Sequence, residues 1–159
     1  MAECGTIVNV ASRAGSEWRK NINQVRALMA LVGPEDAEGF IREQDINPTR
    51  AYFLSKEAVI AWTVGNTERL LLMGLRVNSV SPTAVDTGIL QDFVTAFGDR
   101  AKKGLARTGR AARPTEIADL IVFLAGPHSR WVKGQDITID GGLSATAQAD
   151  ALGLDGTAR

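Results

Sequence analysis

Three polar residues have the types and positions needed to pass a proton to and from a carbonyl oxygen. Tyr52 and Lys56 lie four residues apart in a stretch rich in helix formers, so on a helix they share one face, a turn apart. An ammonium beside a phenol favours the phenolate and brings its proton exchange closer to neutral pH. Ser12 comes two residues after the β-branched run Gly5-Thr6-Ile7-Val8-Asn9-Val10. That is the carboxyl end of a predicted strand, where an open α/β sheet collects its ligands. A serine hydroxyl there can hydrogen-bond a carbonyl or alcohol oxygen and hold it for the exchange. A Tyr-x-x-x-Lys spacing alone is common on helices, so its weight depends on the elements that position it.

Those elements alternate between short β-branched runs and longer helical periods, the pattern of an α/β fold. After the first strand, residues 16–50 turn polar and mixed. Ile22, Val25, Leu28, Met29 and Val32 predict one amphipathic helix that ends at Gly33-Pro34, and Phe40-Ile41 belongs to a shorter second one. This stretch reads as an insertion, either a solvated connection with a helix packed on the body or a lid beside the site. Tyr52 to Met73 predicts one long helix, apolar on several sides, closed by Gly74. Leu75 to Val80 is a second strand, broken at Ser81-Pro82. Residues 89–113 read as short helical pieces and a basic loop, with Arg107, Arg110 and Arg113 in solvent. Pro114 opens a helix whose Ile117, Leu120, Ile121 and Leu124 face the core. Gln135 to Asp140 is a third strand, and Ser144 to Arg159 reads as a loose tail. Parallel strands joined by right-handed helical crossovers satisfy this order.

Composition narrows the partners. Among 159 residues, 18 Lys+Arg balance 18 Asp+Glu, with one His and one Cys. A formal net charge of zero argues against nucleic-acid binding through a broad basic surface. The lone Cys4 leaves no intramolecular disulfide and no C-x-x-C metal spacing, and reads as a small, buried or partly exposed thiol. No run approaches the roughly 18 apolar residues of a membrane span, and the opening MAECGTIVNV lacks the basic region of a signal peptide. A cytoplasmic chain without a membrane partner is the expectation. A hydrolase built on Ser12 and His128 is disfavoured, because Ser12 sits in Ala-Ser-Arg-Ala-Gly rather than a G-x-S-x-G elbow.

Several motifs occur together and in order: Ile7-Val8-Asn9-Val10-Ala11-Ser12, Tyr52-Phe53-Leu54-Ser55-Lys56, and Arg76-Val77-Asn78-Ser79-Val80-Ser81-Pro82 running on to Val85-Asp86-Thr87. Arg113-Pro114, Glu116-Ile117-Ala118 and Gly134-Gln135 to Asp140-Gly141-Gly142 follow. From Gly5 to about Leu143 the chain resembles the short-chain dehydrogenase/reductase family. The long Ser12-to-Tyr52 interval is similar to the subgroup of 3α-hydroxysteroid and coniferyl-alcohol dehydrogenases. The resemblance implies catalytic roles for Ser12, Tyr52 and Lys56: Tyr52 as proton donor and acceptor, Lys56 as its partner and as a ligand of the nicotinamide ribose, and Ser12 orienting the substrate oxygen. It also implies that Pro82, Thr83, Val85 and Thr87 hold the nicotinamide carboxamide of NAD or NADP. The implied substrate is a small hydrophobic alcohol or carbonyl compound, and the implied assembly a homodimer or homotetramer.

Two departures accompany the resemblance. Thr83 stands where the family has glycine, which tolerates backbone conformations threonine does not. The glycine-rich turn that lets backbone and a helix N-terminus approach a pyrophosphate is also absent from these residues. The expectation is therefore a partial Rossmann-like, doubly wound parallel sheet of about three strands with flanking helices. Residues 1–143 correspond to the C-terminal half of such a domain, without the N-terminal dinucleotide-binding half, and residues 144–159 are its tail. Alone, such a shortened oxidoreductase is expected to bind cofactor poorly and turn over slowly or not at all. The alternative reading is a non-enzymatic, dimerising or regulatory fragment of a dehydrogenase. The flank of the first strand should be free to pair.

Overall fold

Three runs of β-branched residues pair side by side in the computed structural model, which describes residues 5–154. Cys4 and residues 155–159 lie outside the described residues. Strands β1 (Gly5–Val10), β2 (Leu75–Pro82) and β3 (Asp136–Ile139) form a parallel sheet in the order β1-β2-β3. The register sets Gly5 against Leu75 and Ser79 against Asp136. β2 is buried along nearly its whole length, because it has a strand on each side and helices on both faces. β1 pairs only with β2 among the described residues and stays partly exposed, as expected for an edge.

The helices are α1 (Ile22–Met29), α2 (Glu35–Glu43), α3 (Pro48–Gly65), α4 (Thr67–Leu72), α5 (Leu90–Thr108), α6 (Pro114–Ala125) and α7 (Leu143–Leu152). α6 lays Ile117 and Leu124 on Val80, with Val8, Ile137 and Ile139 around them. α3 covers the other face of the sheet, where Asn9 donates to the Thr63 hydroxyl at 2.9 Å. The Asn47 side chain starts α3 by accepting from the Arg50 N–H at 2.8 Å, and Pro48 occupies the first turn.

The apolar outer face of α3 explains the 16–50 stretch. Leu54 and Ala61 pack with Val25 of α1 and Phe40 of α2, and Trp18, Leu28 and Ile46 close around them. The stretch thus packs as a second layer over α3. Its polar residues also grip that helix. Glu57, 1% exposed, receives both terminal nitrogens of Arg50 (3.0 and 2.7 Å) and the Asn21 amide (2.7 Å), while Arg50 Nε reaches Gln24 (2.8 Å).

Two expectations are corrected. The helix predicted from Tyr52 to Met73 breaks at Asn66 into α3 and α4. Asn66 donates its amide to the Trp62 carbonyl and Thr67 its hydroxyl to the Thr63 carbonyl, so side chains take over acceptors at the end of α3. Residues 90–108, read as short helical pieces, are two helical stretches that meet at Gly98, where φ is +50° and ψ −131°; together they are α5. The tail beginning at Ser144 is largely helical. Asp140 accepts from the N–H groups of Gly142 (3.1 Å) and Ser144 (2.7 Å), which starts α7, and Arg13 Nε ties Ser144 to the end of β1 at 3.0 Å.

The three arginines of the basic segment are each paired: Arg107 with Asp150, and Arg110 and Arg113 with Glu116. The hydrogen bonds from Arg110, then the Arg113 N–H, hold the Glu116 carboxyl down to about 2. Asp136 moves the other way: burial raises it, against the hydroxyls of Ser79 and Ser81, which donate to it at 2.7 and 2.8 Å.

Candidate active site

Parallel strands end on the same side of a sheet, and the loops leaving those ends build this site. β1 runs out at Val10, and the Ala11 N–H donates to the Val80 carbonyl of β2 at 2.8 Å. That bond holds the next residue, Ser12, beside the end of β2. Ser12 is 7% exposed; its hydroxyl accepts from the Ala14 N–H (3.1 Å) and donates to the Pro82 carbonyl at 3.4 Å. The long second contact is weak by hydrogen-bond geometry, so the hydroxyl can turn toward a ligand oxygen.

α3 brings Tyr52 and Lys56 to the same place. Lys56 Nζ lies 6.0 Å from the Tyr52 ring centroid and donates to the Val10 carbonyl at 3.2 Å. An ammonium carries three N–H donors, so that one bond anchors the lysine while donors remain for a ligand. The Tyr52 ring packs on Phe53 and Phe97, with centroids 6.3 and 5.5 Å away.

The loop after β2 forms the opposite wall. Ala112 donates to the Ala84 carbonyl (3.0 Å) and Asp86 to the Ala112 carbonyl (2.8 Å), pinning the loop to the approach to α6. Thr87 is exposed, its hydroxyl 3.5 Å from the Val85 carbonyl. Thr83 requires no left-handed backbone, because Asp45 is the single non-glycine residue of positive φ among the described residues. The missing glycine therefore leaves the loop's path unstrained.

All seven residues singled out in the sequence line one open depression of about 550 Å³: Ser12, Tyr52, Lys56, Pro82, Thr83, Val85 and Thr87. A second, smaller cavity adjoins it, sharing Ser12, Thr83, Ala84 and Phe93. Its further walls come from Phe53 and from α5 (Phe97, Ala101, Leu105, Thr108), none of which the motifs indicate. Phe93, Phe97 and Ala101 are spaced by four, a helical stripe that could have revealed the wall. The 16–50 stretch contributes no lining residue to either cavity.

His128 lies in the turn that follows α6, and its neighbours bind the start of β2. Arg76 donates to the carbonyls of Leu124, Gly126 and Ser129 at 3.0–3.2 Å. That is the opposite end of the sheet from Ser12, which separates the two residues of the hydrolase alternative. Arg76 and Asn78 of the third motif are structural: Arg76 gathers the last carbonyls of α6, and Asn78 bridges the Val132 carbonyl and the Gln135 N–H. No group of His, Cys, Asp and Glu among the described residues could hold a metal ion. No described helix is long and apolar enough to cross a membrane.

Gly15 sets how closely these parts approach. A Cβ at Gly15 would stand 2.7 Å from the Lys56 carbonyl oxygen and from Ile60 Cδ1. The segment carrying Ser12 thus lies directly on the turn of α3 carrying Lys56. Gly15→Ala must push the two apart, and is expected to cost about 1–3 kcal/mol, as overpacking does. Chemical denaturation would show this as a lower midpoint with unchanged slope; a wild-type midpoint would contradict the close approach.

A tyrosine–lysine pair, a serine just past the end of a parallel strand and the loop after β2 thus share one opening on a Rossmann-like sheet. Residues 40–144 match the family model described as enoyl-(acyl carrier protein) reductase, and the chain belongs to the short-chain dehydrogenase/reductase family. It is 35% identical over 144 residues to the coniferyl-alcohol dehydrogenase of Pseudomonas sp., covering 89% of this chain and 56% of that protein. It is 35% identical over 96 residues to the cyclopentanol dehydrogenase of Comamonas testosteroni, 60% of this chain and 38% of that one. A solved structure of the 3-alpha-hydroxysteroid dehydrogenase from Pseudomonas sp. B-0831, complexed with NADH, is similar with a TM-score of 0.77 and 30% identity. That likeness covers 91% of this chain and 57% of the other. The chain spans about half the length, or less, of these relatives.

Proposed function

We propose that the chain serves an oxidoreductase that interconverts an alcohol and a carbonyl with NAD or NADP, and that the depression around Tyr52 is where the proton moves. One observation carries this reading: Ser12, Tyr52, Lys56 and the 82–87 loop, distant in sequence, meet around one opening at the carboxyl ends of β1 and β2. The polar groups present suit the nicotinamide end of such a cofactor. Lys56 spends one hydrogen bond on Val10, and the Thr87 hydroxyl is exposed and weakly engaged. Lys56 would hold the ribose, and Thr87 with the backbone from Pro82 to Val85 the carboxamide. When bound, the cofactor supplies the hydride chemistry.

In this reading, Tyr52 gives a proton to the carbonyl oxygen in reduction and takes the hydroxyl proton in oxidation. Lys56 stabilises the phenolate left behind, and Ser12 donates a hydrogen bond that fixes the reacting oxygen. The phenylalanine-rich cavity beside Ser12 receives the body of a small hydrophobic substrate. The relatives named for an aromatic alcohol, a cyclic alcohol and a steroid support that substrate class. We read the setting as cytoplasmic and the assembly as a homodimer or homotetramer. Exposed Leu72 and Met73, and separately Val122 and Phe123 of α6, offer apolar surface for self-association.

No glycine-rich pyrophosphate turn occurs within the 159 residues, so these residues alone should hold the dinucleotide weakly. Titration of the chain with NADH, and separately with NADPH, tests this: weak binding that Lys56→Met abolishes is expected. Binding indifferent to Lys56 would remove the ribose role assigned to it.

A further inference from the structure

The cavity beside Ser12 does not end in an apolar wall. It shares Arg13, Arg100, Gly104 and Leu143 with a neighbouring groove of about 750 Å³, which Lys103 and Arg107 also line. Four cationic side chains therefore ring one groove in a chain of zero net charge. Two of them are already matched. Arg107 pairs with Asp150, and Arg13 lies 3.5 Å from the buried Asp140 carboxylate while also bonding Ser144. Arg100 and Lys103 form no ion pair among the described residues.

Arg100 is set at the junction of the two spaces. Its guanidinium carbon stands 5.6 Å from the centroid of Phe53, whose other neighbour is Phe97, 5.7 Å away. Phe97 stacks in turn with Phe93 at 4.7 Å. The cation–π contact with Phe53 steadies the guanidinium and leaves its N–H fork, which has no hydrogen bond of its own here, for a planar anion. Passing outward from the Ser12 hydroxyl, a ligand would meet a hydrogen-bond donor, then three aromatic rings, then unpaired positive charge.

We infer that Arg100, assisted by Lys103, is a specificity-determining subsite for an anionic group at the far end of an aromatic or similarly flat substrate, whose carbonyl or hydroxyl lies at Ser12. This inference rests on the proposed function for the reacting end of the substrate, and adds to it the charge of the other end. A carboxylate is the simplest group that answers the fork.

The test is binding of two matched probes to the intact chain, 4-acetylbenzoate and its methyl ester, by calorimetric or ligand-observed NMR titration. The two share ring and ketone and differ in charge. The acid should bind about fivefold more tightly at low salt, a preference of the size partly exposed ion pairs give, and added salt should shrink it. Arg100→Gln should bring the ratio of the two affinities close to one, whereas Arg110→Gln, on the far side of Glu116, should leave it as it was. Equal affinities, preference for the ester, absence of binding by both probes, or a preference that survives both Arg100→Gln and Lys103→Gln would overturn the inference. Parallel titration with NADH separates the two claims. Selectivity for the acid without cofactor binding would keep the subsite and remove the redox reading; cofactor binding at Lys56 without selectivity would do the reverse.

Discussion

Tyr52→Phe is expected to lower kcat about a thousandfold wherever this chain turns over an alcohol or a ketone, within the range that loss of a general acid or base produces. The phenyl ring keeps its contacts with Phe53 and Phe97 and removes only the hydroxyl that exchanges the proton. Affinity for NADH should stay within about twofold, since the hydroxyl's work falls in the transition state rather than the ground state. Lys56→Met should differ in kind, raising the Kd for cofactor as well as lowering kcat, because the ammonium is assigned to both Tyr52 and the ribose. Steady-state kinetics with a cofactor titration reads both quantities. Tyr52→Phe protein within tenfold of wild-type turnover would remove Tyr52 from the chemistry.

The second large effect lies one residue beyond Lys56 and concerns folding. Glu57 is buried and accepts both terminal nitrogens of Arg50 and the amide of Asn21. A buried ion pair contributes little net stability compared with apolar residues of the same shape, yet removing one partner strands the other charge at a cost of about 3–5 kcal/mol. Glu57→Gln leaves Arg50 beside a neutral amide. It should therefore cost about 3 kcal/mol, lowering the melting midpoint by about ten degrees at this chain length. Arg50→Met with Glu57→Leu should recover most of the loss, because no charge is left buried without a partner. A single Glu57→Gln costing under about 1 kcal/mol would show that water reaches the pair. Since the network clamps α3 beside the turn bearing Lys56, it also orders the helix that presents Tyr52.

The sequence made the site more legible than its surroundings. Ser12, Tyr52 and Lys56 stand out by their place at a strand end and by i, i+4 spacing, while their roles, and the choice of the 82–87 loop, come from the resemblance of the surrounding motifs to the short-chain dehydrogenase/reductase family. The strands were found because β-branched runs between glycine and proline have few other solutions. The break at Asn66 was hidden because α3 is apolar on both its sheet face and its α1/α2 face, so no change of periodicity marks its end. Only the hydrogen bonds of Asn66 and Thr67 disclose it. The two helical stretches of α5 agree with the short pieces expected there, and the non-helical Gly98 between them interrupts the periodicity. The 16–50 stretch leaves a packed connection and a lid both open, because length alone says only that an insertion packs somewhere. Its true place depends on Val25 and Phe40 meeting Leu54, a contact that no local pattern specifies. Asp140, which starts α7 and meets Arg13, is likewise a long-range feature.

The most direct measurement of the central claim is a backbone NMR map of the isotopically labelled chain with NADH, and again with NADPH. The account predicts that the amides of Ser12, Lys56, Ala84 and Thr87 shift together as either cofactor is added, with the α6–Ser129 end of the sheet undisturbed. Shifts confined to that distal end, or none at the highest soluble cofactor concentration from a chain with a well-dispersed spectrum, would contradict a nicotinamide site between Lys56 and the loop after β2.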